Sequence, residues 1–146
     1  MKSEFAAQVT IHIDANPEAV WDALVNPAMI KQYFFGTDAI SDWREGSTLQ
    51  FKGEYEGKEY LDKGVIIKYD KPKILQYTYL SSMSGKEDKP ENYALITYAL
   101  TPDGNNTKLD ITQDNIPTAT EQEHSLKNWS DVSKHIKQLV ENTPAA

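Results

Sequence analysis

Cysteine is absent from the 146-residue chain. That excludes a disulfide frame, a thiolate nucleophile and every zinc site that needs a cysteine ligand. Long apolar runs are absent too. The longest are triplets such as Val65-Ile66-Ile67 and Ala94-Leu95-Ile96, far short of the ~20 residues a spanning helix requires. Basic charge is outweighed, with 15 Lys and Arg against 22 Asp and Glu, a net charge of −7. Such a chain repels phosphate backbones and anionic leaflets, so the expectation is no nucleic-acid partner and no membrane insertion. Met1-Lys2-Ser3-Glu4-Phe5 lacks the apolar stretch of a secretory signal, which predicts a cytoplasmic protein. Neither a repeat nor a low-complexity block appears, and the length suits one domain over residues 1–146.

What the chain does have is alternation, first at the strand period and finally at the helix period. Residues 5–13 place Phe5, Ala7, Val9, Ile11 and Ile13 on one side and Gln8, Thr10 and His12 on the other, as a half-buried strand requires. Asn16-Pro17-Glu18 and Asn26-Pro27 are two helix starts ten residues apart, each with a capping Asn before a proline suited to the first turn. They predict two short helices in tandem. Strands are then predicted over 47–55, 59–70, 74–80, 92–101 and 107–113, with a Glu56-Gly57 hairpin turn and further turns at Asp70–Lys73 and Asp103–Asn106. Residues 59–70 alternate poorly: Leu61, Val65, Ile67 and Tyr69 share a side with Lys63, while Ile66 opposes them. A bulge near Gly64 would reconcile the pattern, and the inward face stays open. Ser81–Glu91 is a polar loop. Thr120-Glu121-Gln122-Glu123 reads as a capping box, and Leu126, Trp129, Val132, Ser133, Ile136, Leu139 and Val140 recur at helical spacing. A helix over about 119–141 would be about 35 Å long. The order predicts an α+β protein: a curved antiparallel sheet of about six or seven strands wrapped around one long C-terminal helix, with two short helices after strand one.

Residues 13–24 and Asn26-Pro27, then Asp42-Trp43-Arg44-Glu45-Gly46, Gly64-Val65-Ile66, residues 70–77, Asn106–Leu109 and the Trp129-centred last helix together resemble the START-like (helix-grip, SRPBCC) superfamily. The branch they resemble most is the heat-shock-protein-90 (Hsp90) ATPase activator homologues. The resemblance covers nearly the whole chain. One departure is Gln32-Tyr33-Phe34, where many relatives carry a tryptophan; it reshapes packing or a cavity mouth. The resemblance implies a sheet gripping the C-terminal helix, often around an apolar cavity. Members bind lipids, sterols, polyketides or plant hormones, some are enzymes, and others modulate a chaperone ATPase. The implied partners are a small apolar ligand or an Hsp90-type chaperone. A shared shape does not transfer an activity.

Chemistry-bearing motifs are few. His12, His124 and His135 lack the spacing of a helical zinc pair, so no metal is expected. Ser81, Ser82 and Ser84 sit in no G-x-S-x-G context. Gly53–Glu59 superficially resembles a phosphate loop but has three residues between its glycines and two acids that repel phosphate. Asp38, Asp42, Glu45, Glu54, Glu56, Glu59 and Asp62 read as a solvated acidic surface. No cofactor is implied. The aromatic residues, 8 Tyr, 4 Phe and 3 Trp, are the informative set, because phenols on strand faces give an apolar interior a few hydrogen-bonding points. The expected ligand-binding wall is Phe34, Trp43, Phe51, Tyr55, Tyr77, Tyr79, Tyr93, Leu126 and Trp129, with no catalytic residue named. Three functions are open: binding of a hydrophobic or aromatic ligand (lipid, sterol or polyketide-like), co-chaperone-like regulation of an Hsp90 ATPase, or a cyclase- or hydrolase-like enzyme using interior Tyr and carboxylate groups.

Overall fold

A computed structural model describes residues 5–34, 36–81 and 85–142, with the backbone alone at Tyr55. The elements run β1 (Phe5–Ile13), α1 (Pro17–Val25), α2 (Pro27–Tyr33), β2 (Asp38–Ser41), β3 (Thr48–Tyr55), β4 (Lys58–Asp70), β5 (Ile74–Tyr79), β6 (Ala94–Asp103), β7 (Asn106–Ile116) and α3 (Ala119–Asn142). The seven strands form one antiparallel sheet in the order β1-β7-β6-β5-β4-β3-β2. This is the helix-grip α+β fold. Its concave face receives α1, α2 and the C-terminal half of α3.

Local chemistry sets the elements. Asn16 caps α1 by accepting from the Ala19 amide at 2.9 Å, and Asn26 caps α2 by accepting from the Ala28 amide at 3.0 Å. In each case a proline fills the first turn, where its missing N–H costs nothing. Glu56 and Gly57 both have positive φ, 50° and 80°, the backbone a two-residue hairpin needs. The cap of α3 is Thr118, not Thr120. Its hydroxyl accepts from the Glu121 amide at 3.1 Å and donates to the Glu121 carboxylate at 3.2 Å, so the capping box lies two residues earlier than the sequence reading placed it.

Strand β4 departs furthest from expectation. Asp62, Gly64 and Ile66 are buried, and Leu61, Val65 and Ile67 are 45%, 37% and 47% exposed. The more apolar side faces outward. The register shift falls between Ile66 and Lys68, not at Gly64. It rotates Tyr69 inward, edge-on against Trp21 at 5.2 Å. Gly64 has another role: a Cβ there would come within 1.6 Å of the Thr78 carbonyl oxygen, so only glycine lets β4 and β5 approach. Two further differences are a short edge strand, β2, and a β7 that continues to Ile116 and carries Gln113 onto the concave side. The predicted Ser81–Glu91 loop includes residues 82–84, outside the described residues; Pro90–Asn92 form a 3-10 turn.

The core divides along α3. At one end Ile13, Val20, Trp21, Leu24, Leu109, Ile111, Ile136 and Val140 are at most 5% exposed and pack together. Thr107 Oγ1 ties β7 to the Ala15 carbonyl at 2.8 Å, and the Glu141 carboxylate accepts from the Asp14 amide at 2.8 Å. Toward the other end, no residue of α3 from 119 to 128 is buried. The helix buries side chains from Trp129 onward, while its first part is held to β1 by the Gln122 side chain, which donates to the Ala6 carbonyl at 2.8 Å.

Candidate functional site

Between α3 at Asn128 and Trp129 and the sheet, chiefly strands β3–β5, lies a cavity of about 620 Å³. Its apolar wall is Phe34 from the end of α2, Phe51 from β3, Tyr77 and Tyr79 from β5, Ile96 from β6 and Trp129 from α3. Strand alternation puts Phe51, Tyr77 and Tyr79 on the same face, and the register brings the rings together. Five rings close a circuit of edge-to-face and tilted contacts. Phe34 meets Phe51 at 6.0 Å, Phe51 meets Tyr77 at 6.0 Å, and Tyr77 meets Tyr98 at 5.8 Å. Tyr98 then meets Trp129 at 6.0 Å, and Trp129 returns to Phe34 at 6.2 Å. Tyr79 joins from Phe51 at 5.8 Å. Such pairs hold one another by quadrupole complementarity as well as by area.

Polar atoms are set into this wall at fixed points. The Tyr79 hydroxyl donates to Asp62 Oδ2 at 2.5 Å. Asp62 is 7% exposed and stands opposite Phe51 in the β3–β4 register. Tyr60 and Thr37 share a hydroxyl–hydroxyl bond of 2.5 Å. The Tyr60 ring reaches across Gly53, where a Cβ would lie 2.3 Å from its oxygen, so the glycine makes the space that the phenol occupies. Trp129 Nε1 donates to Gln113 Oε1 at 2.8 Å, pinning the docking point of α3 to β7. Tyr77 and Tyr98 hydroxyls pair at 3.0 Å. Ser81 completes the polar set, and the exposed Glu54 and Asn128 bring the cavity to the surface.

The electrostatics follow from burial. Desolvation pushes the Tyr77 and Tyr98 hydroxyls well above the ordinary phenol value, and Tyr33 beneath them likewise. Tyr79 rises for the same first reason, reinforced by its bond to the Asp62 carboxylate. These phenols are neutral donors at physiological pH. The arrangement can therefore grip an apolar body, offer hydroxyl donors and accept a hydrogen bond or a positive charge at a carboxylate. No group of three or more His, Asp or Glu side chains that could hold a metal occurs among the described residues.

Of the residues expected on the wall, Phe34, Phe51, Tyr77, Tyr79 and Trp129 are brought together there. The Tyr55 side chain lies outside the described residues. Trp43, Tyr93 and Leu126 stand elsewhere: Trp43 packs on the core from the β2–β3 turn with φ of 55°. Tyr93 donates to Asp88 at 2.6 Å in the β5–β6 connection, and Leu126 is 37% exposed on α3. Sequence reasoning missed Thr37, Tyr60 and Gln113, and placed Asp62 on the solvated surface. For Gln113 a signal existed, because Leu109, Ile111 and Gln113 share one strand face. For Asp62 the signal was inverted by the apolar outer side of β4.

Comparison with known proteins agrees with this architecture. The family model described as "Activator of Hsp90 ATPase homolog 1-like protein" matches residues 14–141. The solution structure of ChR145 from Cytophaga hutchinsonii is 46% identical, with a TM-score of 0.85, and the match covers 97% of each chain. The Aha1 dimer from Colwellia psychrerythraea is 20% identical with a TM-score of 0.75, over 96% of this chain and 98% of that one. DynU16, from the dynemicin biosynthetic locus, is 16% identical with a TM-score of 0.77, over 95% of this chain and 48% of that one. The latter two share the fold. No curated protein matches the chain. The cavity-bearing helix-grip chain thus belongs to the START-like family of Hsp90 ATPase activator homologues.

Proposed function

We propose that the chain binds a small hydrophobic or aromatic ligand (lipid, sterol or polyketide-like) in the cavity between sheet and C-terminal helix. The observation that carries this reading is the ring-lined space of about 620 Å³, within the size range of small-molecule sites and furnished with a few fixed polar groups. Isothermal titration and ligand-observed NMR against lipids, sterols and polyphenols test it. Saturable binding of at least one class, weakened about tenfold or more by Phe51→Ala, is the expected result. Lack of saturable binding across the panel overturns it.

A second reading is co-chaperone-like regulation of an Hsp90 ATPase, supported by the family's description and by the exposed apolar side of β4. Leu61, Val65 and Ile67 stand there in one row, with Ile40 of β2, 51% exposed, on the same sheet face. Pull-down and ATPase assays with the host chaperone discriminate: no complex at tens of micromolar and no rate change would exclude it.

A further inference from the structure

The cavity's charge is as one-sided as the chain's. Its ionisable side chains are the carboxylates of Glu54 and Asp62 and the phenols of Tyr60, Tyr77 and Tyr79. Among the described residues that line it, none is Lys, Arg or His. Lys63, next to Asp62 in the chain, pairs with Asp88, and Lys86 pairs with Glu121 at 3.1 Å in the adjoining hollow that shares Tyr79, Ser81 and Gln113 with this cavity. A fatty-acid carboxylate or a phosphate would enter facing two like charges with no counter-charge among the described lining residues, an arrangement that low dielectric makes costly.

A cation meets the opposite situation. The faces of aromatic rings carry negative quadrupole density and attract ammonium groups within about 6 Å of the centroid. Phe51, Tyr77, Tyr79, Phe34 and Trp129 surround the space with such rings. Asp62 sits directly across from Phe51 on the adjacent strand and is buried, so charge and ring lie side by side on one wall. Tyr79 donates to Asp62 Oδ2 and orients that carboxylate. At the mouth, Glu54 adds a second negative charge, and the net charge of −7 raises the local concentration of cations.

We infer that the ligand of this cavity is a cationic aromatic or alicyclic amine, its ring held by the aromatic wall and its ammonium directed to Asp62, with Glu54 at the entrance. The inference rests on the binding reading above and names the ligand class for it. The test uses three probes of one shape and different charge at pH 7: 1-naphthylmethylammonium, 1-naphthylmethanol and 1-naphthoate, each titrated by calorimetry. The expected order is amine tightest, by about tenfold or more over the alcohol, with naphthoate weakest. Asp62→Asn should remove about tenfold of the amine's affinity and leave the alcohol's within twofold; Glu54→Gln should do the same to a smaller degree. The ranking of the three probes on the unaltered protein decides the question even if Asp62→Asn fails to fold. Equal affinities for amine and alcohol overturn the charge inference and leave cavity binding standing. An amine preference that survives both substitutions overturns the assignment to these carboxylates. Saturable binding by none of the three overturns the amine inference, while the binding reading stands or falls separately on the lipid, sterol and polyphenol panel.

Discussion

The two ends of the concave face are built from the same sheet and the same helix, yet one is filled and the other is hollow. At the filled end α1 is laid into the sheet with Val20, Trp21, Ala23 and Leu24 all at most 2% exposed, and α3 closes over it with Ile136 and Val140. At the hollow end α2 contributes the Phe34 ring at its C-terminus, α3 reaches it through Asn128 and Trp129, and about 620 Å³ stays open. The difference is not one of hydrophobicity, since both ends are walled by large apolar groups. It lies in which groups are polar and where they point. The filled end satisfies its backbone at the seams, through Thr107 and Glu141. The hollow end has a carboxylate, phenols and an amide fixed in its wall, and those need a polar neighbour or solvent. A core can dispense with such groups, whereas a site cannot.

The layer of phenols shared by the two ends gives the largest predicted effect. Tyr33, Tyr77, Tyr79 and Tyr98 all have raised pKa values, with burial the first cause. A raised phenol pKa means that the fold favours the neutral form. The stabilisation is fully present below the unfolded value of about 10 and is lost as pH rises through the folded values. Absorbance at 295 nm during alkaline titration should therefore show these four of the 8 tyrosines ionising only together with loss of near-ultraviolet circular dichroism. Their ionisation with the fold intact would mean the layer is wet.

Cavity formation separates the two ends more finely. Ile136→Ala, at 0% exposure in the filled end, should cost about 3–4 kcal/mol in urea denaturation and change naphthyl probe affinity by less than about twofold. Phe51→Ala borders space that is already open, so its cost should be about 2 kcal/mol, below the usual range for a packed Phe, while probe affinity falls. Equal costs for both would erase the distinction between core and site. The smallest effect compares two caps. Asn16→Ala should cost about 1 kcal/mol because the helix it starts is docked throughout, and Thr118→Ala about 0.5 kcal/mol because it starts a segment with no buried residue. Amide hydrogen exchange should show the 119–128 amides opening more readily than those of 129–142.

How legible the molecule was follows the same division. β1, α1, α2 and α3 were readable because their apolar periodicity matches their burial and because Asn-Pro marks two helix starts. The curl of the sheet around the last helix was read from the order of elements, and the resemblance agreed with it. β4 was not readable, because its outer row of Leu61, Val65 and Ile67 is more apolar than its inner row, where Asp62 and Gly64 face the interior for reasons of site and strand approach. β2 was too short to alternate, with Ala39 inward and Ile40 outward. Tyr60 and Thr37 meet only because Gly53 leaves room, a relation between strands that a linear pattern does not carry.

The pairing of β1 with β7 has a consequence in time. Thr10 and Asp110 are hydrogen-bonded neighbours 100 residues apart in the chain. During synthesis the first strand and the two short helices emerge well before the strand that must lie beside them. At ~5–20 residues per second the wait is about 5–20 s. Over that interval Trp21, Leu24 and Ile13 have no sheet to enter, and every later hairpin from β3 to β7 can form by local turns alone. The filled end of the molecule, which needs β1, α1, β7 and the last turns of α3 together, is therefore completed only after the strands between them have been made.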